Sequence, residues 1–340
     1  MLVALLAAPL SPSLAALKLE EEVAPAPAPA ARPAAPRPAA PAAPRPRPKP
    51  PAAPLAPDAG APSLLDQSAE PGGPGWFSDP RSRCRVWISD PEPEESISWT
   101  GPCRNGVAGG EGQLLRRMGD RGSNIYQGTF SDGRLNGPGM LIAANGDRLE
   151  ATFADGRANG QGVLYFRNGG QYEGTFKDGA FSGRGIRTWP DGARYEGEWA
   201  NGTRTGNGQQ IYADGARYAG GWRNDRHHGR GAMLYVNGDM YDGEWVAGRR
   251  NGRGTLKWFA PGRSGVYEGE WRNDQRHGIG REFFAPENGV YEGSYANDAP
   301  QGQGVYVIGG VQRFEGQVNG GCMRAGWRVV RIGVPGAECR

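Results

Sequence analysis

Lysine, histidine and cysteine are nearly missing from this chain. Of its 39 basic residues only four are lysine (Lys18, Lys49, Lys177, Lys257), and 340 residues hold three histidines and four cysteines. The basic residues form no blocks, no recognition helix is apparent and the formal net charge is only +3, so no nucleic-acid footprint is expected. Three scattered histidines and no CxxC leave no zinc constellation, and neither a metal nor a cofactor is expected. The recurring Gly-x-Gly lacks the lysine of a phosphate-binding loop. Long apolar runs are scarce too: Leu2 to Leu10 is too short to cross a bilayer as a conventional helix. With 37% hydrophobic residues, one large core is not expected.

What the chain does have is 29 prolines, crowded into the first hundred residues, and 57 glycines that dominate the rest. Residues 1–16 read as a leader, with Ser13-Leu14-Ala15 fitting the small-x-small pattern before a signal-peptidase cut, although no Lys or Arg precedes the apolar run. Export to a periplasm or cell envelope is the expectation. Residues 17–75 form a linker whose Ala/Pro-rich part, 24–57, removes backbone donors and fixes φ. It should be a disordered, polyproline-like tether reaching on the order of 100 Å. The cysteines lie in two pairs, Cys84 with Cys103 and Cys322 with Cys339, one near each end of the Gly-rich region. Each pair would close a loop of under twenty residues and stabilise by roughly 3 kcal/mol.

From Tyr126 the chain repeats. In register the units begin YQGTFSDGRLNGPG at 126, then at 149, 172, 195, 218, 241, 267 and 291, a period of 23 residues stretched to 26 and 24 in the sixth and seventh. A degenerate unit precedes them (Trp99, Gly101, Gly106, Gly110, Gly112) and a partial one starts at Phe314. The first five residues of each unit alternate tyrosine, polar, glycine, polar, aromatic, a period of two that puts both rings on one face of a strand. Asp-Gly, Asn-Gly or Asn-Asp follows, suited to left-handed turn backbone. A second strand is expected to start at the Gly-x-Gly. The fold class is therefore all-β: an elongated, twisted antiparallel meander of successive hairpins, about 95 Å long at 4.8 Å per strand, preceded by the disordered arm. Residues 76–125 are expected to be a stapled cap, 126–321 the repeats and 322–340 a second stapled cap, since open sheet edges invite aggregation.

The unit Y-x-G-x-W/F-x-x-G-x-x-x-G-x-G resembles the MORN repeat, and YEGEWRNDQRHGIG at 267–280 is close to that family's consensus. The resemblance covers about 99–321 and implies a hairpin ribbon used in scaffolding, dimerisation or membrane-proximal assembly, sometimes with phospholipid contact. In some members the repeats precede a lipid kinase or a SET methyltransferase, and here neither follows within the sequence. The flanking cysteines and Pro-rich arm resemble exported bacterial members.

Three surfaces present themselves. If curvature leaves a groove, Trp199, Trp222, Trp245, Trp258 and Trp271 are its best lining for a protein partner or a second copy. His227 and His228, adjacent and peculiar to the fifth unit, sit on an expected loop where a partner could touch, and they supply at most two metal ligands. Arg204, Arg250 and Arg276 lie on the same expected loops and offer an alternative, contact with an anionic phospholipid surface. Carboxylates recur at the second position (Glu150, Glu173, Glu196, Asp242, Glu268, Glu292, Glu315) and, in three units, at the fourth (Glu198, Glu244, Glu270). Paired carboxylates can hydrolyse glycosides, but alternation puts these opposite the rings, where cross-strand ion pairs with nearby arginines are the plainer reading. A non-enzymatic scaffold is the expected function.

Overall fold

The computed structural model describes residues 75–91, 94–260, 263–285, 288–333 and 339; the leader and nearly all of the Pro-rich linker lie outside them. The described chain is almost entirely strand, with one 3₁₀ turn at Gly119–Arg121. From Glu95–Trp99 onward, twenty-one strands follow one another as an antiparallel meander, and the ladder does not close on itself. The described residues fall into two compact units. One spans 75–231 with 244–248, the other 232–243 with 249–333 and Cys339.

Each repeat is a hairpin closed by a two-residue turn. In the unit at 195, Ala200 pairs with Thr203 across Asn201 and Gly202, whose φ of 48° and 78° are both left-handed. Such mirror-image turns match the right-handed twist of the strands they join. The second strand begins directly after that turn, as in Thr203–Ile211 and Arg226–Leu234, and not at the Gly-x-Gly. The earlier residues belong to the strand because they are paired: Glu198 lies opposite Thr205, and Gly197 opposite Gly208. That register leaves Gly206 and Asn207 as a two-residue bulge, and Gly206 takes φ 57°. The units at 172 and 267 slip at the same place, between Gly174 and Thr175 and between Gly269 and Glu270. The Gly-x-Gly is therefore the bend of the strand, as bulges commonly are.

A small sheet precedes the repeats. Gly75–Ser78 and Arg85–Ile88 pair, and a short hairpin at Cys103–Ala108 adds to them as a four-stranded sheet. Cys84 is bonded to Cys103 with their Cα atoms 5.7 Å apart, and Cys322 to Cys339 at 5.8 Å. Asp79 is buried. Its Oδ1 accepts from Arg81 N (2.8 Å) and Ser82 N (2.6 Å), its Oδ2 from Trp99 N (2.9 Å). Burial alone would raise its pKa; these bonds hold the carboxyl down at about 2. Trp99 packs against Phe130 at 4.6 Å between ring centroids, so the degenerate unit continues the aromatic column.

Candidate binding surface

In six of the eight repeats the opening tyrosine lies over bare backbone. Tyr195 covers Gly197 and Gly208, paired across the hairpin, and a Cβ on Gly208 would stand 2.6 Å from the Tyr195 ring. Tyr172, Tyr195, Tyr218, Tyr241, Tyr267 and Tyr291 are all fully buried. Their hydroxyls donate to the fourth-position carbonyl beside the bulge: Tyr172 to Thr175 O (3.0 Å), Tyr195 to Glu198 O (3.1 Å), Tyr267 to Glu270 O (2.9 Å). Desolvation pushes the phenols of Tyr172, Tyr195 and Tyr267 well above their ordinary value.

The tryptophans are core, contrary to the expected groove lining. Trp199, Trp222, Trp245 and Trp271 are buried. Each indole N–H donates to the carbonyl of the last glycine of the preceding repeat's Gly-x-Gly: Gly185 (3.2 Å), Gly208 (3.3 Å), Gly231 (3.0 Å) and Gly254 (3.0 Å). The ring thus spans from its own repeat to the one before and satisfies a carbonyl there. Sinking such a ring contributes about 2–3 kcal/mol in apolar burial, beyond the edge-to-face contacts. Of the five, only Trp258 is half-buried.

The arginines and one histidine are core as well, which corrects the reading of Arg204, Arg250, Arg276 and His227 as accessible loop residues. All four lie within strands and are buried. They occupy the slot between the tyrosine of one repeat and the aromatic of the next, and every occupant of that slot that stacks is planar. Phe181 stacks on Tyr172 at 3.6 Å and His227 on Tyr218 at 3.7 Å. The guanidinium of Arg204 sits 4.4 Å from Trp222, that of Arg250 4.3 Å from Trp271, and that of Arg276 5.2 Å from Tyr295. Arg204 Nε donates to Asp225 Oδ1 at 2.9 Å and Arg250 Nε to Asp274 Oδ1 at 3.3 Å, while Arg276 Nη1 pairs with the buried Glu282 at 2.7 Å. Consumed in this way, the three arginines offer nothing to a lipid headgroup.

His227 Nε2 lies 2.7 Å from Tyr212 Oη. Burial, with the Arg204 guanidinium adding to it, pushes the imidazole down to about 3. The ring is neutral and packed. His228 follows it in the strand and is half-buried.

The carboxylates divide by position. At the second position Glu173, Glu196, Glu268, Glu292 and Glu315 are exposed, and Glu196 and Glu315 pair along their own strands with Arg194 and Arg313. The expected cross-strand pairing with Arg204, Arg250 and Arg276 does not occur, because those guanidiniums face the core. At the fourth position the side chain closes the bulge: Glu198 Oε1 accepts from Asn207 N at 2.9 Å and Glu270 Oε1 from Ile279 N at 3.4 Å. No group of three or more metal-binding side chains occurs among the described residues.

The middle residue of each Gly-x-Gly (Pro138, Gln161, Arg184, Asn207, Arg230, Arg253, Ile279, Gln303) is exposed, and so is most of the second-position column, although Glu150 and Asp242 are half-buried and Ala219 is buried. Ile279 is 60% exposed. A further exposed ring, Trp327, lies beyond the repeats at the tip of the hairpin formed by Cys322–Ala325 and Arg328–Arg331. Its position outside the repeat register was the available signal, and the sequence reading placed there only a stapled cap.

A search of the curated proteins finds no match. Among solved structures, the TCP10 domain of Danio rerio CPAP in complex with a peptide of Danio rerio STIL is similar at 11% identity and a TM-score of 0.34. That match covers 66% of this chain and 100% of that one. The Drosophila melanogaster SAS-4 TCP domain, in complex with a proline-rich motif of Ana2, is similar at 8% identity and a TM-score of 0.26, covering 54% and 85%. The model of the MORN repeat matches eight times, at residues 126–148, 150–171, 172–194, 195–217, 218–240, 241–259, 267–288 and 291–309. The chain belongs to the MORN-repeat family.

Proposed function

We propose that this protein is a non-enzymatic repeat scaffold of the cell envelope that presents the outward positions of its hairpins to a protein partner. One observation carries the reading: the repeats spend their conspicuous aromatics and arginines on one another. In most repeats the same two positions are left facing out: the second-position carboxylate (Glu173, Glu196, Glu268, Glu292, Glu315) and the middle residue of the Gly-x-Gly. A regularly spaced polar array on a stiff sheet is a surface for multivalent protein contact. The Pro-rich segment then serves as the tether, and the two disulfides suit an oxidising compartment. Cross-linking mass spectrometry on the protein from its native host tests this. The expected result is a discrete partner cross-linked through the outward carboxylates of successive repeats, with the mature amino terminus following the leader. Cross-links confined to the chain itself, with no partner and no second copy, would overturn it.

A further inference from the structure

The hairpin Cys322–Arg331 differs from every repeat hairpin in what it exposes. Its sequence through Gly333, CMRAGWRVVRIG, carries three arginines and no acid. Arg324, Arg328 and Arg331 are all exposed. Trp327 at the tip is 86% exposed, with the Arg328 guanidinium 4.9 Å from its ring. Val330 lies opposite Met323, which is fully buried, and Val329 lies opposite Arg324. Strand alternation therefore puts Arg324, Val329 and Arg331 together on the outer face. One edge of Arg328–Arg331 pairs with Cys322–Ala325, and no described strand pairs with the other, the sheet being open. That free edge holds no proline.

We propose that this edge is a docking site for an extended acidic segment of a protein partner, which adds as a further strand along Arg328–Arg331. Backbone bonds to the open edge supply part of the affinity, as in other strand additions. Side chains supply the selectivity: carboxylates at alternate positions meet Arg324 and Arg331 across Val329, and an apolar residue covers the Trp327 ring. Charge decides between occupants. A second copy pairing antiparallel through the same RVVR segment would set Arg328 against Arg331 at both ends, and like charges directly opposite destabilise a sheet. A lipid surface could take up Trp327 and the arginines, but it would leave the strand edge without partners for its backbone groups. The acidic strand satisfies the ring, the charges and the edge together. The inference concerns the terminal hairpin alone and stands or falls apart from the repeat face.

The test uses the full chain and three probes: a labelled ten-residue peptide of alternating glutamate and valine, its lysine and valine counterpart, and phosphatidylglycerol vesicles. Fluorescence anisotropy should show the acidic peptide binding at least tenfold more tightly than the basic one, with affinity falling as salt is raised. Trp327→Ala and Arg331→Glu should each cost tenfold or more. Retention of the Cys322–Cys339 bond in both variants, by mass spectrometry, shows that the hairpin is still closed. Equal binding of the two peptides, or binding indifferent to both substitutions, would overturn the proposal. So would vesicle binding lost with Trp327→Ala in a protein that ignores the acidic peptide, or a dimer in the ultracentrifuge lost with the same change.

Discussion

Arg204 and Asp225, 21 residues apart and in successive repeats, form one joint. Asp225 Oδ1 accepts from the Arg204 backbone N at 3.0 Å and from Nε at 2.9 Å, and Arg204 Nη2 donates to Asp225 O at 3.2 Å. Asp225 sits at the second turn position with φ 60°, a left-handed conformation costing a non-glycine residue roughly 1–2 kcal/mol. The same joint recurs as Arg250 with Asp274 and Arg276 with Asp298. Where the slot holds Leu135, Ala158, Phe181 or His227, the facing turn residue is Gly156, Gly179, Gly202 or Gly248, and only the backbone N–H to carbonyl bond is kept, at 2.8–3.0 Å.

That rule predicts a strongly non-additive double-mutant cycle. Asp225→Gly alone strands a buried guanidinium and should cost about 3 kcal/mol or more. Arg204→Phe alone leaves a carboxylate on a strained turn without its partner. The double variant recreates the Phe181 and Gly202 pairing and should return to within about 1 kcal/mol of the parent. Urea midpoints of the four proteins check this, and additive losses would show that the joint is not a unit.

His227 makes the fold acid-sensitive in a defined window. Its imidazole is held down to about 3 by burial and by Arg204, and it touches Tyr218, Tyr212, Trp222 and Trp245. A base with a lowered folded pKa is protonated first in the unfolded chain. Its contribution to stability is therefore intact above about pH 6.5 and declines as the pH falls toward 3, at up to about 1.4 kcal/mol per pH unit. Phe fills the same slot in the unit at 172, so His227→Phe should fold and remove that part of the slope. Stability measured from pH 7 to pH 4 checks it; an unchanged slope would assign the acid sensitivity to other groups.

Much of this was legible in the sequence, because a repeated error would have shown itself eight times. Tyr195, Gly197 and Gly208 declare strand, inward ring and bare backbone by their spacing alone. The position of the second strand was misread at Thr203–Thr205, because glycine is a common strand breaker and the bulge at Gly206 and Asn207 looks like a beginning. Arg204, Arg250 and Arg276 were read as surface because charge usually means solvent. Here a planar cation over an aromatic ring, tied to a turn carboxylate, makes a core residue. The pairing with Asp225, Asp274 and Asp298 could have been found by reading each slot against the next repeat's turn. Trp327 lies outside the periodic register, so the repeat pattern carries no signal for it.

Arg187 is the cation that lacks such a joint. It occupies the column of Leu141, Leu164 and Leu256, is buried, and has an Nη1 with no hydrogen-bond partner. Desolvation pushes the guanidinium down to about 10, with Asp147 opposing the shift, and the Phe166 ring 3.5 Å away returns only part of that loss. Arg187→Leu, the residue its column prefers, should therefore raise stability by about 1–3 kcal/mol. A higher urea midpoint is the expected outcome, and a lower one would mean that the ring contact outweighs the desolvation.

Glycines of two kinds should respond differently to alanine. Gly208 is extended, and its added Cβ would lie 2.6 Å from the Tyr195 ring. Gly202 has open space around its Cβ position but a φ of 78°. Gly202→Ala should cost only the left-handed penalty, about 1–2 kcal/mol. Gly208→Ala must displace a fully buried ring together with its bond to Glu198 O, which should cost more than 3 kcal/mol and open the hairpin locally. Hydrogen exchange separates the cases. Protection of the amides in Arg194–Ile211 should collapse in Gly208→Ala, while in Gly202→Ala it should fall uniformly and slightly. Equal losses would mean that the tyrosine does not depend on the bare backbone beneath it.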